Sequence, residues 1–148
     1  MVFLWAAGLI WAAVGYEARD RQDLEALRAD AVKAEAALKG APGNAKSYYR
    51  FALAKSLEAE VAMEKGDKKA SAAAAEAGIG AARKAVEMEG GNAEYHRLLG
   101  TLCGQIIPAN VMAGLKYGRC ALDEVAKAIE LNPKAAENWM ARGVGNYY

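Results

Sequence analysis

The chain has 148 residues, of which 54% are hydrophobic and 25% charged, and this is the composition of a folded domain with its own core. Nineteen basic residues oppose eighteen acidic ones, so the formal net charge of +1 argues against a nucleic-acid-binding surface. Alanine is abundant while residues that favour strands are sparse, which predicts an all-α protein.

The N-terminal segment, residues 1–16, carries no charge and includes Trp5, Ile10 and Trp11. As a helix it would measure about 24 Å, short of the roughly 30 Å hydrocarbon core of a membrane. Ala13-Val14-Gly15 fits a small-x-small cleavage site, although no basic residue precedes the apolar run. We predict an export signal or an uncleaved anchor that attaches the chain to a membrane. The alternative is a helix buried against the rest of the protein or docked on a partner.

Residues 17–44 are predicted to form an N-terminal helix, from Asp20 to Lys39, and the turn that follows it. The apolar residues of this helix recur three and four positions apart and define one face: Leu24, Leu27, Ala31, Ala34 and Leu38. This face is too short for a stable coiled coil, so we expect it to pack on the next helix.

Two longer units follow, at residues 45–92 and 93–135, and each is predicted to contain two helices. In the first unit, Gly66 can end one helix and Asp67 can cap the next. In the second, Asn92 caps the leading helix and Asn132-Pro133 ends the second one. The predicted turns are therefore Gly40 to Asn44, Gly66-Asp67, Gly90 to Asn92 and Asn132-Pro133.

The pattern restarts at residues 136–148, because Ala136-Glu137-Asn138-Trp139 has the register of Ala93-Glu94-Tyr95-His96. Gly143 follows Trp139 by the same interval as Gly100 follows His96. We expect a further unit that is truncated within its first helix.

The bulky, small and apolar residues at fixed positions of these units resemble the tetratricopeptide repeat (TPR) family. In the leading helices the matching residues are Tyr48, Phe51 and Ala52, then His96, Leu99 and Gly100, then Trp139 and Gly143. In a second helix they are Ala121, Val125, Ala128 and Pro133. The resemblance implies a TPR-like α-solenoid of antiparallel helix pairs. Both units exceed the family's usual repeat of about 34 residues.

An apolar insert, residues 104–118, lengthens the second unit and is interrupted by Pro108, Gly114 and Gly118. Exposing all its large side chains would leave an extensive apolar patch, so we expect residues 109–117 to fold back as a short helix or turn. Alternatively, the insert rims a groove for a ligand or a partner chain. Long helices with such an insert are similar to TPR-like proteins of the bacterial envelope, including T-components linked to TRAP transporters. That similarity implies a periplasmic or inner-membrane-anchored protein; the alternative is a cytoplasmic one.

Catalytic and metal-binding patterns are absent from the sequence, which predicts a protein that is not an enzyme and has no cofactor or metal. His96 is expected to be a packed or hydrogen-bonded imidazole. The acidic residues that lie among lysines are expected on solvent faces: Glu58, Glu60, Glu64, Glu87 and Glu89. Cys103 and Cys120 are expected to be small buried hydrophobes, with a single bridge as the alternative in an oxidising compartment.

The function implied by the TPR resemblance is a scaffold that binds a protein or peptide on the face lined by the leading helices, and not nucleic acid. The candidate contacts are Tyr49, Lys55, Arg97, Thr101, Trp139 and Arg142. A rival of another class is a small-molecule-binding accessory of an envelope transporter, which requires an enclosed apolar pocket beside Ile106 to Tyr117.

Overall fold

A computed structural model describes residues 15–109 and 111–145. Its α-helices are α1 (Leu24–Gly40), α2 (Ala45–Glu64), α3 (Lys68–Met88), α4 (Ala93–Ile106), α5 (Val111–Leu131) and α6 (Ala136–Gly145). Residues 15–20 are also helical, and a 3-10 turn, Ile107–Ala109, follows α4. The described residues contain no strand, so the prediction of an all-α fold is confirmed.

The predicted signal or anchor falls on residues 1–16, and its first fourteen residues lie outside the described part of the chain. Among the residues that the structure describes, no helix combines the length and the apolar character needed to cross a membrane.

Side-chain caps set where most of the helices begin. Asn44 and Asn92 each accept a hydrogen bond from the backbone N–H two residues on, at 2.9 and 3.1 Å, at the starts of α2 and α4. Asp23 and Asp67 each accept a hydrogen bond from the backbone N–H three residues further along the chain, at 3.0 and 2.9 Å, at the starts of α1 and α3. These caps satisfy backbone donors that a helix cannot satisfy internally. The four predicted turns are confirmed.

The predicted start of the first helix, at Asp20, is wrong. Residues 15–20 are helical, the chain turns, and α1 begins after Asp23. Gln22 has a φ of 53°, the left-handed region that residues other than glycine rarely adopt, and its amide donates to Glu64 at 3.0 Å. The spacing of apolar residues did not reveal this break. It arises because the Asp23 side chain caps a new helix instead of continuing the preceding one.

Each helix packs on the next one along the chain, α2 also packs on α4, and α4 also packs on α6. We call α2, α4 and α6 the leading helices. The main core extends from residue 18 to α5, and its large buried members include Leu27, Leu57, Leu98 and Leu102.

Helix α2 is covered on several sides, by residues 15–20, α1, α3 and α4. The prediction that Glu58 faces solvent is therefore wrong: this residue is 7% exposed and pairs with Lys55 at 2.7 Å and Arg28 at 3.4 Å. Glu60 is half-buried, and burial raises its pKa while the charge of Arg19 opposes that rise. The other three carboxylates are exposed as predicted: Glu64, Glu87 and Glu89.

Two glycines allow neighbouring helices to approach closely. A Cβ on Gly100 would lie 2.7 Å from Cγ2 and 3.1 Å from the backbone nitrogen of Val125 in α5. A Cβ on Gly78 would lie 2.7 Å from a methyl group of Leu102. Gly100 and Gly78 therefore lie at close helix crossings, whereas a Cβ on Gly143 or on Gly80 would meet open space.

Candidate functional site

Three of the six predicted contact residues belong to one hydrogen-bonded network that joins α2 to α4. The Tyr49 hydroxyl donates to Oε1 of Glu94 at 2.7 Å. The Arg97 guanidinium donates from Nε to Oε2 of Glu94 at 3.0 Å and from a terminal nitrogen to Oε1. The Thr101 hydroxyl donates to the carbonyl of Arg97 at 2.9 Å, and the Tyr49 ring stacks on Tyr95 with centroids 5.1 Å apart.

Burial and the charge of Glu94 together set the pKa values of Tyr49 and Arg97 in this network. Burial raises the pKa of Tyr49, and the negative charge of Glu94 raises it further. Burial lowers the pKa of Arg97, but the hydrogen bond and charge of Glu94 outweigh this effect and leave that pKa raised. At neutral pH Tyr49 is therefore a hydrogen-bond donor and Arg97 is a cation, so the network holds one arrangement.

The other three predicted contacts lie apart from the network. Lys55 pairs within α2, with Glu58, because it is six residues beyond Tyr49 and so projects from another side of the helix. The Trp139 indole N–H donates to the carbonyl of Pro133 at 2.9 Å, while Trp139 and Arg142 are both exposed on α6.

The repeated register of the leading helices also appears in their hydrogen bonds. Nε2 of His96 lies 2.9 Å from the carbonyl oxygen of Gly90, and the Trp139 indole makes the equivalent contact with the carbonyl oxygen of Pro133, which also lies six residues earlier in the chain. Nδ1 of His96 lies 2.5 Å from Oε2 of Glu124 in α5. His96 is thus the buried, hydrogen-bonded imidazole that the sequence predicts.

The remaining predicted repeat positions differ in burial. Buried positions are Ala52, Leu99, Gly100, Val125 and Ala128; partly buried ones are Tyr48, Phe51 and Ala121; Pro133 and Gly143 are exposed.

Two residues that link α2 to α4, Glu94 and Gln105, were not predicted from the sequence. Glu94 is the acceptor that Tyr49 and Arg97 share. Its position three residues before Arg97 was the available signal, since oppositely charged residues at this spacing pair on a helix. Gln105 is a second link, because its amide donates to the carbonyl of Ser56 at 3.2 Å and accepts from the Ser56 hydroxyl at 3.1 Å.

On α6, Met140 and Val144 occupy the positions that Arg97 and Thr101 hold one unit earlier, and they are 69% and 63% exposed. We call the surface formed by these equivalent positions, together with Glu94, the leading-helix face: Tyr49, Glu94, Arg97, Thr101, Met140 and Val144. Beside Glu94, an open cleft of about 600 Å³ lies between the α3–α4 turn and the end of α5. Polar and apolar residues both line it: Glu89, Gly91, Asn92, Ala93, Glu94, Leu131 and Asn132. The described residues contain no cluster of acidic, His and Cys side chains suited to a metal.

The insert does not form the short separate helix or turn expected for residues 109–117, because α5 runs without a break from Val111. The side chains of Ile106, Ala113 and Tyr117 are buried, and those of Val111, Met112 and Leu115 are 84%, 69% and 75% exposed. Half of the insert therefore joins the core while the other half forms an exposed stripe. This arrangement gives no support to the enclosed pocket that the small-molecule function requires.

The two cysteines form a disulfide between α4 and α5, with their α-carbons 5.9 Å apart. The expectation of two separate thiols is therefore wrong. Cys103 is fully buried and Cys120 is partly buried, and the spacing of α-carbons is typical of a bridge. The sequence showed only that both residues lie on neighbouring helices, whereas the way the helices face each other decides the pairing.

Comparison with known families identifies a relationship other than the one that the repeat pattern implied. The family model described as regulator of microtubule dynamics protein 1-3 matches residues 12–148, and it is not a TPR family. Comparison with curated proteins and with solved structures gives no match. The assignment to the TPR superfamily is therefore wrong, because small residues at close helix crossings and bulky residues between them are a general solution to helix packing. The chain belongs to the regulator of microtubule dynamics protein 1-3 family.

Proposed function

We propose that this protein is a non-enzymatic protein-interaction module that binds a protein or peptide partner on its leading-helix face. The observation that carries the proposal is the network of Tyr49, Glu94 and Arg97, which ties two leading helices together with mutually satisfied groups. A surface held in one arrangement loses little conformational entropy when a partner binds. On α6 the same face offers two large apolar side chains to a partner, Met140 and Val144.

We also propose that the helices form an open solenoid of antiparallel pairs. The contacts of Gly100 with Val125 and of Cys103 with Cys120 support antiparallel pairing of α4 and α5, since residue numbers rise on one helix and fall on the other. Contacts between α2 and α4 support parallel directions for these two helices, because residue numbers rise together along both: Tyr49 contacts Glu94, and Ser56 contacts Gln105. A solenoid places equivalent helices side by side and creates an extended binding surface.

The family relationship supports a protein partner, because the family is described as regulating microtubule dynamics and a microtubule is a protein polymer. We therefore propose that the chain contacts microtubules directly through the leading-helix face.

The test is co-sedimentation of the chain with microtubules assembled from purified tubulin. Met140→Asp and Val144→Asp place a charge on the leading-helix face and should each weaken binding by about tenfold or more, because an unpaired carboxylate would be desolvated in the interface. Met112→Asp and Val32→Asp are matched controls, since Met112 is 69% exposed on α5 and Val32 is 66% exposed on α1, outside that face. Both controls should bind like the unmodified protein.

Two results would count against the proposal. Equal losses in all four variants would remove the leading-helix face as the contact surface. A chain that stays in the supernatant at micromolar concentrations of polymer would exclude a direct contact with microtubules.

The cellular location stays a prediction. Contact with microtubules requires the cytoplasmic alternative, whereas a periplasmic or inner-membrane-anchored protein would keep the Cys103–Cys120 bridge, because such compartments are oxidising. Mass spectrometry of protein extracted from its native cell without reductant tests the location. A mature N-terminus near Tyr16 with the bridge intact supports export, and an intact Met1 with two free thiols contradicts export.

A further inference from the structure

Helix α5 extends well beyond the helix with which it pairs. Helix α4 ends at Ile106, one turn after Cys103, whereas α5 continues from Cys120 back to Val111, which is more than two turns. Residues 117–119 lie opposite the last turn of α4, and residues 111–116 extend beyond it. We call the whole part of α5 that precedes the bridge, residues 111–119, the α5 overhang. The disulfide lies at the point where the overhang meets the rest of α5.

The overhang is held to the rest of the fold along one of its faces, which belongs to the main core. Ala113 and Tyr117 are buried, and the Tyr117 hydroxyl donates to Glu76 of α3 at 3.1 Å. The neighbouring contact of Lys116 with Glu76, at 3.7 Å, joins two exposed side chains and contributes little. The large apolar residues on the other side of the overhang are mostly exposed and contribute little burial: Val111, Met112 and Leu115.

The local sequence also disfavours an independent helix in this segment. Gly114 and Gly118 lie within the helix, where glycine is less favourable than any residue except proline. Residues 111–119 begin a helix of 21 residues, and the terminal turns of a helix open at a lower free energy than its packed middle. The covalent bond at Cys120 therefore adds a constraint at the point where the overhang joins the packed part of α5.

We propose that the Cys103–Cys120 disulfide is a redox-sensitive clip, and that a thiol reductant releases the α5 overhang from the fold. In this reaction a reductant thiolate attacks Sγ of the partly exposed Cys120, and Cys103 leaves as a thiolate that takes up a proton. A second reductant thiol then resolves the mixed disulfide. The products are two cysteine thiols and one oxidised reductant.

The rest of the α4–α5 pair stays joined after reduction. Gly100 packs against Val125 in the part of α5 that follows the bridge, and Nδ1 of His96 contacts Glu124 there. These contacts do not involve either sulfur. Reduction should therefore free the overhang and leave the remaining helices packed.

The experiment is amide hydrogen exchange of the whole chain, followed by mass spectrometry, with and without dithiothreitol. Reduction should accelerate exchange about tenfold or more in residues 107–119 and less than about twofold in residues 45–64 and 123–131. Cys120→Ser should exchange like the reduced protein and should not respond to dithiothreitol. If that variant fails to fold, the reduced unmodified chain provides the same comparison.

Three outcomes would overturn the proposal. Equal exchange of residues 107–119 in the oxidised and reduced proteins would show that the bridge does not hold the overhang. Faster hydrogen exchange in every helix would mean that the bridge stabilises the whole fold and not the overhang alone. A bridge that stays fully formed at equilibrium with reduced and oxidised glutathione, at a cytosolic ratio, would be structural and not a switch.

Discussion

Gly100 shows how a single position controls helix packing. Because a methyl group there would meet the side chain and the backbone of Val125, the helices must separate to accept it. We expect Gly100→Ala to lower the free energy of unfolding by about 2 kcal/mol, the usual cost of overpacking a core. Gly104→Ala, in the same helix and facing open space, should raise it by about 0.5 kcal/mol.

Urea unfolding followed by circular dichroism measures both changes, with unchanged m values as the check that the unfolding transition is the same. A Gly100→Ala protein as stable as the Gly104→Ala protein would show that α5 can move away at no cost.

Tyr49 gives the stability a predictable dependence on pH. Burial and Glu94 raise the pKa of its hydroxyl, so the folded chain retains the phenolic proton at pH values where the unfolded chain loses it. The stability contributed by the hydroxyl is complete below the ordinary tyrosine pKa of about 10 and is lost as the pH rises above it.

Tyr49→Phe should therefore lower the free energy of unfolding by about 1.5 kcal/mol near neutral pH, the range for a hydrogen bond to a charged acceptor. The difference from the unmodified protein should shrink above about pH 10. Denaturant unfolding at several pH values measures it, and a difference that stays constant would mean that Tyr49 titrates normally.

At the scale of the elements, the turn between α2 and α3 depends on a left-handed residue. Gly66 has a φ of 81°, a conformation that costs residues with a side chain roughly 1 to 2 kcal/mol. Gly66→Ala should destabilise the protein by about 1 kcal/mol. Gly43→Ala is the control, because Gly43 lies in the α1–α2 turn with open space around it and without a positive φ.

Thermal unfolding of both variants tests this prediction. Equal shifts of Tm would mean that the turn adjusts to the side chain by changing its backbone conformation.

At the scale of the whole molecule, contacts between neighbouring helices predict local responses to mutation. Asn138 is buried, and its amide donates to the carbonyls of Ala128 and Asn132, both at 3.0 Å, which fastens α6 to the end of α5. Asn138→Ala leaves those carbonyls without this donor, and we expect faster hydrogen exchange in α6 and the end of α5 only. Among the described helices, α1 packs on α2 and has no contact with α6, so α1 should keep its exchange rates.

A uniform increase across all helices would contradict this expectation, since it would mean that the helices unfold as one cooperative unit. Lys127→Ala, which removes an exposed pair with Glu130 on α5, should change exchange very little and is the matched control.

Local chemistry in the sequence determined the helices and most of their ends. Asn44, Asp67 and Asn92 cap the helices that follow them, and Gly66 ends another, because these effects act between residues close in the chain. The tight crossing at Gly100 was also predictable, since a glycine inside an amphipathic helix indicates close approach.

Only the tertiary structure decided which distant groups meet. It buried Glu58 beneath neighbouring helices, gave Tyr49 and Arg97 a shared acceptor in Glu94, and brought Cys103 to Cys120. Periodicity identifies the apolar stripe of each helix but not the rotation and height at which two helices pack. The pairing of polar side chains depends on that rotation and height, so the network and the bridge could not be predicted from spacing alone.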